Sequence, residues 1–215
     1  MCNIELKLEH IQKSYTRPVL TDVNLSVFNE SYIAILGKSG SGKSTLLNIL
    51  GLVESFDSGE YCFNGVKIRQ AKDYAKLRLE NVGFIFQAYN LIPTLSCAEN
   101  ILLPTLYSSK KQRDFDELVE LLDIKPLLEQ KVTTLSGGEK QRVAIARSLI
   151  LDPGIILADE PTGNLDPYNK EIVFDLLQKE NKRGCAVVLI THDWDLGNKA
   201  KTTFVLEGGR LIEKK

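Results

Sequence analysis

No C-x-x-C pair, no surplus of one charge and no apolar run of membrane-spanning length occur in these 215 residues. The four cysteines, Cys2, Cys62, Cys97 and Cys185, are widely scattered, which points to free thiols in a reducing compartment. Lys and Arg number 27 against 28 Asp and Glu, a formal net charge of −1, so general attraction to nucleic acid is not expected. The opening MCNIELKLEH has no apolar signal region. The longest apolar segments, such as 154–158 and 186–190, fall far short of the roughly 20 residues that span a bilayer. A cytosolic location is expected, and any membrane role would need a partner chain. Hydrophobic content of 43% and charged content of 26% are those of a soluble domain with a sizeable core.

What is present begins with Gly37, Lys38, Ser39, Gly40, Ser41, Gly42, Lys43, Ser44 and Thr45, which fit G-x-x-x-x-G-K-[ST]. Such a loop turns backbone N–H groups inward as a concave anion site. Lys43 would add charge near the outer phosphates, and the Ser44 hydroxyl would ligate Mg²⁺. A flexible Gly/Ser linker is the bland alternative. The flanks argue against it: 32–36 reads as a buried strand and 45–50 as a helix start, whose N-terminus adds its dipole to the site.

Alternation predicts half-buried strands over 3–8, 19–28 and 60–68, the last turned at Asn64-Gly65, as an antiparallel sheet beside the nucleotide core. Tyr15 lies in a polar connection between the first two. It either stacks on a purine, worth about 1–3 kcal/mol, or packs on the small sheet. Residues 82–87 read as a buried strand ending in Gln87, an amide placed to ligate Mg²⁺ or hold a water, or simply a strand-end polar residue. The loop 88–96 is unusually apolar for a connection. It is either core packing or a patch that docks a partner. Residues 98–107 and 112–124 are expected to be helical, the second with Phe115, Leu118, Val119, Leu121 and Leu122 on one side.

Ser136 and Glu139 form a capping-box pattern, and Gly137 and Gly138 would leave the N–H groups of that helix's first turn uncovered. The chain thus has two anion sites about a hundred residues apart. Either they converge on one nucleotide, or the second serves a nucleotide on another copy. The apolar strand 155–158 runs into Asp159 and Glu160. Paired carboxylates there are costly without a task. Strand alternation predicts that the two point to opposite faces, Asp159 holding Mg²⁺ indirectly and Glu160 reaching the attacking water. Two helix-capping acids are the structural alternative. Residues 163–167 form a loop before a helix, and the buried strand 186–190 delivers His192 to the edge where ligands bind in α/β sheets. It would contact the γ-phosphate or its attacking water. His10, the other of two histidines, receives no role. Residues 202–213 read as a hairpin around Gly208-Gly209.

In this order the sequence resembles the ATP-binding subunit of ABC transporters over essentially its whole length: a phosphate loop (GKSGSGKS), Gln87, LSGGE, IILADE, GNLD and His192. The stretch FQAYNLIPTLSCAENILLP and the Asn-Leu-Asp triplet resemble the branch holding macrolide exporters, lipoprotein-release ATPases and bacteriocin or antimicrobial-peptide transporters. Glu139 stands where many members have Gln. The resemblance implies one α/β domain over 1–215. It would combine a P-loop NTPase core on a mixed, mostly parallel sheet, an N-terminal antiparallel β-subdomain, and a helical subdomain over roughly 88–151. It implies ATP and Mg²⁺, with Glu160 as general base, Tyr15 on adenine, and Ser136 to Glu139 covering the γ-phosphate in another copy of an ATP-dependent homodimer. It also implies a separate membrane permease, met near the loop after Gln87, and a place at the inner face of the cell membrane through that permease. An ABC ATPase acting on DNA or ribosomes is the alternative, disfavoured by one compact cassette and the near-neutral charge.

Overall fold

Tyr32–Leu36 (β3), Ile155–Asp159 (β7) and Ala186–Ile190 (β8) are apolar runs buried along almost their whole length. A strand can be continuously apolar only if both faces of its sheet are covered, which is the parallel α/β arrangement. The computed structural model, which describes residues 4–69 and 74–214, has that arrangement. β3 pairs in parallel with β8, β8 with β7, and β7 with Val82–Phe86 (β6). Successive residues alternate between two cores. Ile156, Ala158, Val187 and Leu189 face one, and Ile155, Leu157, Val188 and Ile190 face the other. Lys43–Leu50 (α1) covers the second face through Leu46, Leu47, Ile49 and Leu50. Pro167–Lys182 (α6) covers the first through Val173, Phe174, Leu176 and Leu177.

The antiparallel part comprises Glu5–Ser14 (β1), Pro18–Phe28 (β2), Ser58–Phe63 (β4) and Val66–Lys67 (β5). It is joined edgewise to the parallel part by the hairpin of Thr202–Glu207 (β9) and Arg210–Glu213 (β10). β9 pairs with β3, and β10 meets β2 at Arg210 and Asp22. The order is β5-β4-β1-β2-β10-β9-β3-β8-β7-β6. β1 runs past the expected 3–8 because His10, at φ 52°, sits in a bulge that shifts the register between Leu8 and Ile11. Cys2 and Asn3 lie outside the described residues. Cys62, Cys97 and Cys185 are free thiols. Ala75–Asn81 (α2) buries none of its residues, so no apolar stripe marks it.

Between β6 and β7 lie Cys97–Leu102 (α3), Phe115–Leu121 (α4) and Gly137–Leu149 (α5). The expected helix 98–107 is shorter and changes type at Pro104. The ring cannot supply the next helical N–H, and 103–107 tightens into a 3₁₀ turn. The expected helix 112–124 starts only after its N-cap Asp114 and ends before Asp123, at φ 51°. Leu121, expected on the apolar side, is exposed. A buried ion pair pins this region to α6: Arg113 Nη1 lies 2.9 Å from Glu180 Oε1, with both residues buried. Glu180→Ala is expected to lower unfolding free energy by about 3 kcal/mol, since it leaves the buried guanidinium only the 3.5 Å contact to the exposed Glu117. Urea denaturation checks this; a loss below about 1 kcal/mol would show that the pair does not hold the segment.

Candidate functional site

The phosphate loop leaves β3 at Leu36 and enters α1 at Lys43. Gly42 adopts φ 101°, and a Cβ there would stand 2.7 Å from Val19 Cγ1, so both backbone conformation and space require glycine. Gly42 caps α1 without a side-chain hydrogen bond, and no acidic residue occupies the first turn. The first-turn N–H groups therefore keep their capacity for an anion. Lys43 is buried, with Nζ donating to the carbonyls of Gly37 (2.8 Å) and Lys38 (3.1 Å). An ammonium has three donors, so one remains for a ligand.

A cavity of about 480 Å³ opens over this helix end and is lined by Val19, Ser39, Gly40, Gly42, Lys43, Ser44, Thr45, Gln87, Asp159, Glu160 and His192. Residues from five separate stretches thus converge at the C-terminal edge of the parallel strands, where open α/β sheets bind ligands. Gly37, Lys38 and Ser41 line an adjoining cavity that shares His192.

The expectation that Asp159 and Glu160 point to opposite faces is overturned. Asp159 is the last strand residue and Glu160 has left the strand at φ 47°, so alternation no longer applies and both line the same cavity. The Glu160 N–H donates to the Ile190 carbonyl (2.9 Å) at the end of β8, and its Oε2 lies 2.7 Å from His192 Nδ1. A carboxylate held on an imidazole beside an anion cradle can accept a proton from a water between them.

Ser136 and Glu139 form the expected capping box on α5, the Ser136 N–H donating to Glu139 Oε2 at 2.8 Å. Hydrogen bonds from the Ser136 hydroxyl and then its N–H hold the Glu139 carboxyl below the usual range. The expectation that both glycines uncover the helix end needs correction at Gly138. It is buried, and a Cβ there would fall 2.5 Å from Asn169 Oδ1, so this glycine makes room for α6. Ser136 to Glu139 line neither cavity, so the two anion sites do not converge within one copy.

Tyr15 is exposed (58%) in the turn between β1 and β2 rather than packed in the small sheet. Its hydroxyl donates to the Glu54 carboxylate. In the loop after Gln87, Tyr89 (φ 61°) and Asn90 (φ 50°) take left-handed backbone, and Arg147 of α5 donates to their carbonyls at 2.9 and 2.7 Å. Asn164 Nδ2 donates to the Gln87 carbonyl (3.4 Å). Sequence reasoning missed Glu54, Arg147 and Asn169. Each acts on a residue 27 or more positions away, beyond the reach of local spacing.

Strand, glycine loop, helix and a carboxylate-tipped strand one place removed in the same parallel sheet define a P-loop nucleotide-binding cassette. Residues 20–163 match the family model described as ABC transporter, and the chain belongs to that family. It is a transport-associated ATPase cassette that binds and hydrolyses ATP. It is 40% identical over 218 residues to an uncharacterized ABC transporter ATP-binding protein, YvrO, of Bacillus subtilis, covering 96% of this chain and 95% of that protein. It is 41% identical over 204 residues to the lipoprotein-releasing system ATP-binding protein LolD of Desulfotalea psychrophila (92% and 91% covered). Against the macrolide export ATP-binding/permease protein MacB of Campylobacter jejuni it is 40% identical over 200 residues, 90% of this chain but 31% of that protein. Among solved structures, the dimeric ATP-binding cassette MJ0796 bound to ADP and Pi superimposes with a TM-score of 0.88 at 35% identity, with 98% of both chains covered.

Proposed function

We propose that the chain powers a separate membrane permease by ATP-dependent closure of two copies, moving or releasing a peptide, bacteriocin, macrolide-like or lipoprotein substrate. One observation carries the pairing. The cavity holding the phosphate loop, Gln87, Asp159, Glu160 and His192 lacks the Ser136 helix end, which a second copy would supply head to tail. The dimeric MJ0796 cassette supports it.

Within that pair, the N–H groups of 37–45 and Lys43 bind the phosphates, Glu160 takes the proton of the attacking water, and His192 holds Glu160 and meets the γ-phosphate. Ser136, Gly137, Gly138 and Glu139 close over the partner's nucleotide. Ser44, Gln87 and Asp159 bring a hydroxyl, an amide and a carboxylate to one cavity. This sparse set of hard oxygen donors fits Mg²⁺, which keeps waters and takes phosphate oxygens for the rest of its shell. Mg²⁺ would neutralise charge on the β- and γ-phosphates.

The permease would dock on a second cavity of about 510 Å³, lined by Leu79, Phe84, Phe86, Tyr107 and Arg147 among others. Phe84 and Phe86, on the edge strand β6, stack at 5.3 Å, and Leu106 and Tyr107 beside them are about three-quarters exposed. Arg147 links this cavity to the loop after Gln87, so docking there would reach the nucleotide site. No helix among the described residues is long and apolar enough to cross a membrane, in keeping with a peripheral place at the inner face of the cell membrane. The tagged chain, recovered from detergent-solubilised membranes of the cells that make it, should retain a membrane-spanning protein. Tyr107→Glu should cut that yield about tenfold without changing ATP turnover, in the manner of a lost interface anchor. Retention of ribosomes or DNA instead would sink the transport reading.

A further inference from the structure

Tyr15 is held from two sides. Its hydroxyl donates to Glu54, and Lys13 Nζ lies 5.3 Å from the centre of its ring. Lys13 is buried (8% exposed) although charged, and is balanced by Glu54 Oε1 at 3.6 Å and Asp57 Oδ1 at 3.7 Å. Asp57 in turn accepts from the Ser14 N–H at 2.6 Å, fixing the chain one residue before the ring. Because the ammonium is buried and the ring is exposed, the cation lies behind the ring and the outer face is open. Glu54 belongs to the segment that follows α1, its N–H donating to the Asn48 carbonyl of that helix (3.2 Å). The Glu54 carboxylate raises the Tyr15 phenol above its ordinary value, and the Thr45 side chain opposes this.

We infer that Glu54 and Lys13 are positioning residues that hold Tyr15 as a fixed platform for the nucleotide base, at a set distance from the phosphate cradle. The inference rests on the reading of Tyr15 as the adenine contact. An exposed tyrosine free to rotate loses that freedom each time a base stacks on it. Here the freedom is lost on folding. The carboxylate fixes the ring's rotation, and the buried ammonium stops it from collapsing inward. The cation behind the ring also leaves its π-electrons drawn toward Lys13, so that the outer face is less repulsive to a purine's own π-cloud. Glu54 and the phosphate-binding residues are attached to the same helix, so base and phosphate subsites move together.

The test compares ATP with inorganic tripolyphosphate, which has the phosphates and no base, on the full chain and its Tyr15→Ala, Glu54→Ala and Glu54→Gln variants. Glu54→Ala should weaken ATP about three- to tenfold, raise KM by the same factor at unchanged kcat, and leave tripolyphosphate binding as it was. Glu54→Gln keeps an oxygen acceptor and should recover most of the loss. Tyr15→Ala should weaken ATP at least as much. If Tyr15→Ala costs ATP affinity and Glu54→Ala does not, the platform inference is wrong while base stacking stands. If Tyr15→Ala leaves ATP binding unchanged, the stacking reading itself fails. Equal weakening of both ligands by Glu54→Ala would mean general damage to the site and would also overturn the inference.

Discussion

Glu160→Gln is expected to lower ATP turnover about 10²–10⁴-fold while nucleotide binding persists, the range that a positioned general base contributes. The change keeps the side chain's size and an oxygen for His192 Nδ1, now 2.7 Å from Oε2, but the amide has no lone pair basic enough to take a proton from water. Loss of one negative charge from a cavity that must receive a polyphosphate should also favour the bound state. The variant should therefore accumulate as an ATP-loaded pair of copies. Phosphate release measures the first effect, and size-exclusion chromatography with and without Mg-ATP measures the second. Turnover within about threefold of the parent, in a variant that stays monomeric, would remove Glu160 from this role.

The second large effect is expected at a helix end that lies outside the molecule's own cavity. Ser136→Arg should depress hydrolysis about 10²-fold or more, as when a preorganised donor is taken from a transition state. ATP affinity of the isolated monomer should stay nearly constant. The residue is exposed, and the cavity around Lys43, Gln87 and Glu160 does not include it, so a monomer has no reason to bind nucleotide less well. Losing the Ser136 cap costs about 1 kcal/mol of helix stability, too little to unfold a domain of this size. The effect must then come from the surface that α5 presents to another copy. Normal turnover would mean that this helix end does not close over a partner's nucleotide. An equal fall in monomer ATP affinity would place the defect within one copy.

The elements around the nucleotide were legible in the residues for a physical reason. β3, β7 and β8 are covered on both faces, so they read as unbroken apolar runs, and the phosphate loop is chemically local. The capping box at Ser136 was equally plain, because four consecutive residues contain it. Elements with little burial escaped: α2 buries none of its residues and has no stripe to betray it. Helix ends were misjudged at Pro104 and Asp123, where backbone conformation rather than polarity decides. At the site, each motif residue was visible, but Asp159 and Glu160 line one cavity rather than opposite faces, since the strand ends before Glu160. The contacts between motifs could not be read at all. Arg147 on the 89–90 carbonyls, Asn164 on Gln87 and Asn169 against Gly138 join residues far apart in the chain.

Those last three contacts bear on how freely the cassette can be recombined. The loop after Gln87, the start of α5 and the segment 163–169 interlock within a single copy, so none can be exchanged by itself. A graft that replaces residues 88–151 with the equivalent stretch of a relative exchanges Tyr107 and Arg147 of the face proposed to meet a permease. It also imports foreign partners for Asn169, which meets Gly138 and Arg142 of that stretch. Chimeras between cassettes of this kind should therefore tolerate crossover points outside 87–169 better than points within it, because the unit of inheritance is the interlocked trio rather than the helical segment.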